Sequence, residues 1–404
     1  MKNLRKDFPI LKEKINGRPV VYFDNAATTQ RPMAVLEALI DFYTKHNSNI
    51  HRGIHAFGEK ATTLFETSRE KIATFIGAES EEIIFTGGAT EAINFVASTW
   101  ADENITSEDE IVVTELEHHS NLIPWQQVAQ KKGATLKYIP IDALGRLDLS
   151  DLENIITNKT KMVAINHVSN VLGTHNNVEE IIKAAKAVGA KVLVDAAQSV
   201  PHQKIDVKEL GCDFLAFSGH KMLGPTGIGV LYITKELKDQ VPPYQYGGGM
   251  VFEVGFDKSS WCKTYRRFEA GTQPIAQAIG LGAAVDYLRN NVNFGELKIH
   301  QSKLCSKVID GLSFIKGMHI LGPTDQLKES GHLVSFMVDG IHSHDVAAYL
   351  GGFGICTRAG HNCAQPLAKK LGVLSAVRAS FYFYNTEEEV DFFLNKMEDI
   401  RKSF

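Results

Sequence analysis

The stretch FSGHKMLG, residues 217–224, places a lysine between two apolar segments that have the composition of buried strands. The strands are predicted at residues 214–217 and 227–233, and the turn between them contains Gly224 and Pro225. Lys221 would therefore lie where a buried strand ends. Partial desolvation lowers the pKa of such an amine and leaves it free to condense with a carbonyl group. Because most lysines are exposed, the alternative is that Lys221 is an ordinary surface lysine in a loop. Other residues have to decide between these two interpretations.

The composition is that of an ordinary globular protein and argues against several functional classes. With 404 residues, the chain is longer than a single hydrophobic core usually accommodates, which indicates a large domain and a smaller one. A formal net charge of -4 gives no basic surface for nucleic acid or an anionic membrane. The five cysteines include no CxxC pair, so we expect neither a metal cluster nor a disulfide framework. The absence of an apolar leader or membrane span predicts a cytoplasmic protein.

Strands and helices alternate through the first two thirds of the sequence. The predicted strands are residues 82–86, 110–114, 135–139, 161–166, 191–195 and 214–217. This alternation predicts a mainly parallel sheet that is covered by helices. After about residue 290, strand-like and helical segments are typical of a small α+β domain. The first residues predict a short charged helix that ends near Gly17, and residues 61–76 predict another helix.

Polar residues follow the ends of these predicted strands. They are Thr86, His118 and His119, Asn166 to Asn170, Asp195 with Gln198, and Ser218 with His220 and Lys221. In sheets of this kind, ligands bind beyond the carboxyl ends of the strands, so we expect these residues to line one crevice. Thr90 follows Gly87 and Gly88 at a predicted helix start, which favours either a phosphate site or an ordinary helix cap.

Two further loops have unusual compositions. The small polar loop that begins with Asn25 and Ala26 would let a ligand approach the backbone. The segment NIHRGIH, residues 49–55, contains His51 and His55 beside a glycine. This second segment is either a ligand-binding loop or an exposed polar connection.

Ten motifs occur in order along nearly the whole chain. They are YFDNAATT, NIHRGIH, GGATEAIN, EHHSNLIPW, NHVSNVLGT, VDAAQSVPH, FSGHKMLGPTGIG, RFEAGT, TRAGHNCAQPL and RASFYFYNTEEEVD. With these motifs, the sequence resembles the SUF-type cysteine desulfurases, which are pyridoxal-phosphate (PLP) enzymes of the class V aminotransferase group. The resemblance implies fold type I, with a mainly parallel seven-stranded sheet in a large domain, residues 18–290. It also implies a small α+β domain, residues 1–17 and 291–404, that contains the catalytic cysteine.

The resemblance implies a complete set of cofactor contacts. Lys221 would bind PLP covalently, Asp195 would pair with its pyridine nitrogen, and His118 would stack on the ring and handle protons. Asn170 and Gln198 would donate hydrogen bonds to the ring oxygen. The residues implied for the phosphate are Thr90, Ser218, His220 and, from the other subunit of a homodimer, Thr272.

The same resemblance implies the substrate site and the reaction. Cys363 would accept the sulfur of L-cysteine as a persulfide, with release of L-alanine, and Arg378 would bind the substrate carboxylate. The other residues assigned to the substrate are Asn25, Ala26, His51, His55, Arg358 and His361. A small sulfur-acceptor protein of the SUF pathway would then collect the sulfur for iron-sulfur cluster assembly. L-selenocysteine is expected to serve as a substrate as well.

The sequence departs from the family pattern at three positions. Many relatives have a threonine and a second histidine where this chain has Ala359 and Asn362, and a proline where it has Gln273. These departures concern thiol activation and loop rigidity more than the reaction. His342 and His344 precede a small-domain helix and are either ordinary exposed histidines or contacts for a zinc-containing acceptor.

Three alternative functions stay open at this point. A selenocysteine lyase, or another PLP-dependent β-lyase or aminotransferase, would keep the cofactor residues. A persulfide carrier would keep the fold without catalysis. A dinucleotide-binding module is disfavoured because no glycine fingerprint opens the first strand and helix unit.

Overall fold

The computed structural model describes residues 4–403, and the side chains of residues 4–400. Residues 1–3 and Phe404, which the sequence predictions included in the small domain, lie outside this range. No helix among residues 4–403 combines the length and the apolar character that crossing a bilayer requires.

The described chain is built of short strands and of helices that range from single turns to long rods. The strands are β1 Lys14–Ile15, β2 Arg18–Pro19, β3 Val21–Tyr22, β4 Ile83–Thr86, β5 Glu110–Thr114, β6 Thr135–Ile139, β7 Thr160–Asn166, β8 Lys191–Asp195, β9 Phe214–Ser218, β10 Gly229–Ile233, β11 Val251–Val254, β12 Ser259–Trp261, β13 Met318–Leu321, β14 Leu333–Val338, β15 Ile355–Cys356, β16 Arg358–Gly360 and β17 Ala376–Ser380. The helices are α1 Met33–Asp41, α2 Ala56–Phe75, α3 Ala89–Ser98, α4 Trp100–Asn104, α5 Ile123–Lys132, α6 Leu152–Ile155, α7 Val178–Ala187, α8 Val207–Leu210, α9 Lys235–Lys238, α10 Ile275–Asn291, α11 Phe294–Ser313, α12 Thr324–Ser330, α13 Ser343–Gly352, α14 Gln365–Lys370 and α15 Glu387–Ser403.

The largest sheet has seven strands in the order β4-β10-β9-β8-β7-β5-β6. Strands β9, β8, β7, β5 and β6 are parallel neighbours, whereas β10 runs antiparallel to both β4 and β9. The predicted mainly parallel seven-stranded sheet is therefore confirmed. Because β10 runs opposite to its neighbours, it begins at the edge where β4 and β9 end.

The two faces of this sheet bury two separate apolar cores. On β5, Val112 packs into one core, whereas Ile111 and Val113 pack into the other. Both faces are covered, which explains why the strands have continuous apolar sequences instead of alternating polar ones. The rigid sheet fixes the positions of the loops that follow its strands.

A smaller antiparallel sheet has the order β13-β14-β17-β16 and packs on α11 and α15 around a third core. Strand β15 pairs in parallel with β3, near the start of the chain. Helix α15 opens with a capping box, in which Thr386 and Glu389 bond each other's backbone N–H groups. The proposed domain boundaries at residues 17–18 and 290–291 stay a prediction.

Two helix predictions were inaccurate. The N-terminal segment contains two single 3₁₀ turns, Leu4–Asp7 and Pro9–Lys12, followed by the β1–β2 hairpin, and no continuous helix. Pro9 explains the break, since proline lacks the N–H that an α-helix interior needs. Helix α2 begins at Ala56, before the predicted residue 61, because His55 Nδ1 accepts a hydrogen bond from Gly58 N–H and caps the helix.

Candidate active site

The FSGHKMLG stretch forms the turn that connects β9 to the antiparallel β10. After Ser218 the chain makes a 3₁₀ turn, Gly219–Lys221, and Leu223 adopts a left-handed backbone conformation with φ of 69°. The Lys221 side chain lines a cavity of about 450 Å³. Burial lowers the pKa of Lys221, although the nearby Asp195 carboxylate opposes the shift. The lowered pKa increases the fraction of neutral amine.

Most of the predicted site residues line this same cavity. They are Ala26, Thr90, His118, Asn170, Asp195, Gln198, Ser218, His220, Lys221, Arg358, Cys363 and Arg378. The ends of β8 and β9 supply Asp195 and Ser218, whereas β16 and β17 of the small sheet supply Arg358 and Arg378. The cavity therefore lies between the two sheets.

One end of the cavity is built to hold an anion. Helix α3 points its N-terminus at the cavity, where Ala89 N–H donates to Ser218 Oγ at 2.9 Å and Thr90 Oγ1 lies 2.7 Å from Ser120 Oγ. A Cβ added to Gly229 would lie 2.4 Å from Gly88 Cα, so α3 can approach β10 this closely only because residue 229 is a glycine. Unpaired N–H groups and the helix dipole favour a phosphate here.

The same cavity also contains a buried carboxylate. Asp195 Oδ1 accepts a hydrogen bond from Ala197 N–H at 3.0 Å, and burial raises the pKa of Asp195. Its charged form gains stability from a cationic partner within reach, which a protonated pyridine nitrogen supplies. The side-chain amides of two neighbours are already partly used, since Gln198 Nε2 donates to Ala26 O and Asn170 Nδ2 donates to Asn362 O. Each amide nitrogen keeps a second hydrogen for a ligand.

His118 is neutral and has a defined tautomer. Burial, together with the nearby Lys221, lowers the pKa of His118 to about 3. Its Nδ1 accepts the Ser120 N–H at 3.0 Å, so the ring proton is on Nε2. A neutral ring suits stacking on an aromatic cofactor, and the Nε2–H can donate a hydrogen bond.

Two arginines that line the cavity share one aspartate. Arg358 binds the Asp24 carboxylate through Nε at 3.0 Å and Nη2 at 2.9 Å, and Arg378 Nη2 lies 3.5 Å from Asp24 Oδ1. Arg378 is buried, and among the described residues its Nε has no hydrogen-bond partner. Burial lowers the pKa of Arg378 to about 10, still high enough to keep it charged at neutral pH. An anionic ligand would satisfy the free Nε–H.

Cys363 lies in the short connection between β16 and α14. Its side chain is exposed and faces the same cavity. Asn362 and Cys363 both have left-handed backbone conformations, with φ of 49° and 57°. Cys212 and Cys305 are buried, and burial raises the pKa of the Cys212 thiol to about 12, which makes it unreactive.

Five predicted residues do not line this cavity. His51, His55 and Thr272 line a different one of about 300 Å³, where Asn49 Nδ2 lies 3.4 Å from Thr272 Oγ1. Asn25 is buried and uses its amide to bond Ser380 O, Asn385 and the Tyr384 hydroxyl, so it ties the loop after β3 to β17 and the residues that follow β17. His361 is exposed beside Cys363.

The sequence predictions missed two residues of the cavity region. Asp24 and Ser120 contribute to it or hold its side chains, and both lie inside motifs that were recognised. A signal existed for Asp24, because a carboxylate that directly follows an apolar strand needs a partner.

Comparison with known proteins agrees with this geometry. The model of the family described as "Aminotransferase class-V" matches residues 21–393. A probable cysteine desulfurase of Halalkalibacterium halodurans is 52% identical over 99% of this chain and 98% of its own, and one of Streptomyces coelicolor is 46% identical over 99% and 97%.

Solved structures give the same result. The apo structure of a cysteine desulfurase from Thermococcus onnurineus superposes with a TM-score of 0.95 at 45% identity, over 100% of this chain and 98% of its own. A cysteine desulfurase of Escherichia coli superposes with a TM-score of 0.91 at 37% identity, over 99% and 98%. The chain therefore belongs to the class-V aminotransferase family and, within it, to the cysteine desulfurases.

Proposed function

We propose that this protein converts L-cysteine to L-alanine and keeps the removed sulfur as a persulfide on Cys363. One observation carries the proposal: a single cavity contains the desolvated Lys221, the buried Asp195, the buried Arg378 and the exposed Cys363. An amine, a carboxylate, an anion-binding guanidinium and a thiol are together what desulfuration of an amino acid requires.

The cofactor is pyridoxal 5′-phosphate, and the residues present fit it. Lys221 would attach it, Asp195 would pair with its pyridine nitrogen, and the N-terminus of α3 with Thr90, Ser218 and His220 would hold its phosphate. His118 would lie on the ring face, and the free N–H groups of Asn170 and Gln198 would reach the ring oxygen. When bound, PLP stabilises negative charge at the substrate α-carbon.

The chain's own residues orient the substrate. Arg378 binds the substrate carboxylate through its unused Nε–H, while its Nη1 stays bonded to Asn170 O at 2.7 Å. Arg358 is fixed by Asp24 and gives positive charge to the region around Cys363. Asn25 and Ala26 bring the backbone of their loop to the cavity rim.

Proton and sulfur transfer follow from the same contacts. The neutral amine of Lys221 removes the α-proton, and the neutral His118 handles protons on its side of the cavity. The Cys363 thiolate attacks the substrate sulfur, an S–S bond forms, and the substrate Cβ–S bond breaks. The electron pair of the broken bond stays with the carbon skeleton, which takes up protons and leaves as L-alanine.

We further propose the cellular setting that the resemblance implies. The enzyme would act in the cytoplasm as a SUF-type homodimer, with Thr272 completing the partner's phosphate site. Because the loop between β16 and α14 is short, Cys363 cannot carry its sulfur far. A small sulfur-acceptor protein would therefore collect it for iron-sulfur cluster assembly. L-Selenocysteine fits the same contacts.

The test is an assay of alanine and sulfide from L-cysteine with a reductant, in the wild type and in Cys363→Ala, Cys363→Ser and Lys221→Ala. We expect alanine and sulfide in equal amounts from the wild type, and neither from the variants above background. Mass spectrometry should find one added sulfur on the Cys363 peptide. Alanine production by Cys363→Ser at the wild-type rate would contradict the assignment. Visible absorbance that persists in Lys221→Ala after dialysis would contradict the role of the lysine.

A further inference from the structure

The loop that contains Cys363 has a conformation that its own sequence does not favour. Asn362 and Cys363 are consecutive non-glycine residues with left-handed φ values. Asparagine tolerates this region, but cysteine rarely adopts it. A residue held in such a region is strained and persists only when its surroundings enforce it. One hydrogen bond inside the loop, from Ala364 N–H to His361 O at 3.0 Å, closes this turn, and contacts from outside the loop add to it.

The large sheet's loops supply these contacts. Asn170 Nδ2 donates to Asn362 O at 2.6 Å, and His119 N–H donates to Cys363 O at 2.7 Å. The imidazole of His119 makes a further bond, because its Nε2 accepts the Gln365 N–H at 3.0 Å. His119 thus bonds the backbone at two places: at Cys363 itself, through its own N–H, and at the first residue of α14, through its imidazole.

We propose that His119 is a positioning residue, which holds the Cys363 loop in its left-handed conformation so that the thiol faces the cavity of Lys221. The proposal rests on the function proposed above. The Asn170 bond fixes only the start of the loop, whereas His119 fixes the carbonyl of the reacting residue and the helix that follows it. Without the imidazole, the Gln365 N–H at the start of α14 loses its acceptor and the loop is held less firmly, although the backbone bond from His119 N–H to Cys363 O remains.

The arrangement gives two adjacent histidines opposite tautomers. His118 accepts at Nδ1, so its proton is on Nε2, whereas His119 accepts at Nε2, so its proton is on Nδ1. Burial lowers the pKa of His119, and the neighbouring His361 lowers it further, which keeps the ring neutral and able to accept. The first histidine serves the cofactor, and the second serves the nucleophile.

The test compares His119→Ala with His119→Gln, whose amide oxygen can replace Nε2 as an acceptor. Gln127→Ala, an exposed change on α5, is the matched control. Hydrogen exchange of the peptide covering residues 361–370 is measured by mass spectrometry in each PLP-loaded protein. Persulfide formation on Cys363 and the change in visible absorbance after addition of cysteine are followed in parallel.

In His119→Ala we expect hydrogen exchange in this peptide to become about tenfold faster, as for a lost hydrogen bond. Persulfide formation on Cys363 should become about tenfold slower. The absorbance response of His119→Ala to cysteine should stay within about twofold of the wild type. In His119→Gln, the exchange rate and the rate of persulfide formation should both return most of the way to the wild-type values. An unchanged exchange rate in His119→Ala would overturn the proposal. Equal changes in the exchange rate and in persulfide formation in His119→Ala and His119→Gln would overturn it as well. If the wild type forms no persulfide, the proposed function fails, and the exchange result still decides whether His119 holds the loop.

Discussion

Asp24 binds Arg358 through two nitrogen atoms of its guanidinium group, Nε and Nη2, at 3.0 and 2.9 Å. The pair joins β16 to the loop after β3, and it keeps an otherwise exposed arginine at the edge of the cavity. Because the side chain of Arg358 is 47% exposed, the pair adds little to stability, and its effect is on the direction of the guanidinium.

Asp24→Asn should therefore lower activity without unfolding the protein. We expect persulfide formation on Cys363 to slow by about three- to tenfold, because Arg358 is free to turn toward water. The melting temperature should fall moderately, because the buried Arg378 also loses the negative charge of Asp24, which lies 3.5 Å from its Nη2. The measurement is single-turnover persulfide formation together with thermal unfolding, and Asp239→Asn, an exposed aspartate near Arg267, is the control. A variant that loses stability but keeps its rate would contradict this interpretation.

Arg378→Lys should weaken substrate binding specifically. The planar guanidinium bonds Asn170 O through Nη1 and keeps Nε for the substrate carboxylate, and a lysine amine cannot do both. We expect KM for L-cysteine to rise at least about tenfold, which corresponds to about 1.4 kcal/mol. The exposed Arg289→Lys serves as the control in the same steady-state assay. An unchanged KM would remove Arg378 from the substrate site.

Glu269→Gln should strongly destabilise the fold. The Glu269 carboxylate binds the fully buried Arg69 through two bonds of 2.8 Å and also accepts the Phe85 N–H. The buried Arg69 would keep the Glu66 carboxylate, 3.0 Å from its Nε, but would lose its two-bond partner, and breaking a buried pair typically costs about 3–5 kcal/mol. Urea unfolding measures the change, with the exposed Glu236→Gln as control. A loss below about 1 kcal/mol would show that the pair is not essential.

Buried histidines should make the protein sensitive to acid. Burial lowers the pKa of His202 to about 3 and that of His167 to about 4. Because an unfolded histidine titrates near 6.5, the unfolded state binds more protons between this value and the folded pKa. The stabilisation is complete above pH 6.5 and is lost as pH falls, by up to about 1.4 kcal/mol per pH unit for each group.

His202→Asn tests this dependence directly. Asparagine does not titrate but can still bond Gln301, the partner of His202 Nδ1. Between pH 6 and pH 4, we expect the free energy of unfolding to decrease less steeply in this variant than in the wild type. The difference between the two slopes should correspond to about one proton taken up on unfolding. The profile of Ser302→Ala, on the same helix as Gln301, should remain parallel to that of the wild type. Parallel profiles for His202→Asn and the wild type would contradict the prediction.

Much of the fold could be predicted because the buried strands have distinctive sequences. The strands at residues 135–139 and 191–195 match their predicted bounds. Strand β13, Met318–Leu321, was missed because it is a partly exposed edge strand without a clear alternation. The antiparallel direction of β10 was also unpredicted, since the composition of a strand does not encode its direction.

The site was predictable to the extent that it depends on strand ends and on recognised motifs. Asp195, Ser218 and Lys221 meet as the strand-end rule predicts. Asp24 was missed because its partners, Arg358 and Arg378, are distant in sequence and come from the small sheet. His119 was missed as a loop anchor for the same reason, since its bonds to Cys363 and Gln365 exist only once the sheets are packed.

The close approach of Gly88 and Gly229 has a genetic consequence. At the anion end of the cavity, Thr90 and Ser218 contribute hydroxyl groups whose individual loss leaves other donors in place. A methyl group at Gly229 would instead meet the Gly88 backbone at 2.4 Å and push the whole N-terminus of α3 away. A mutant screen for partial function should therefore recover weak alleles at Thr90 and Ser218, and only null alleles at Gly229.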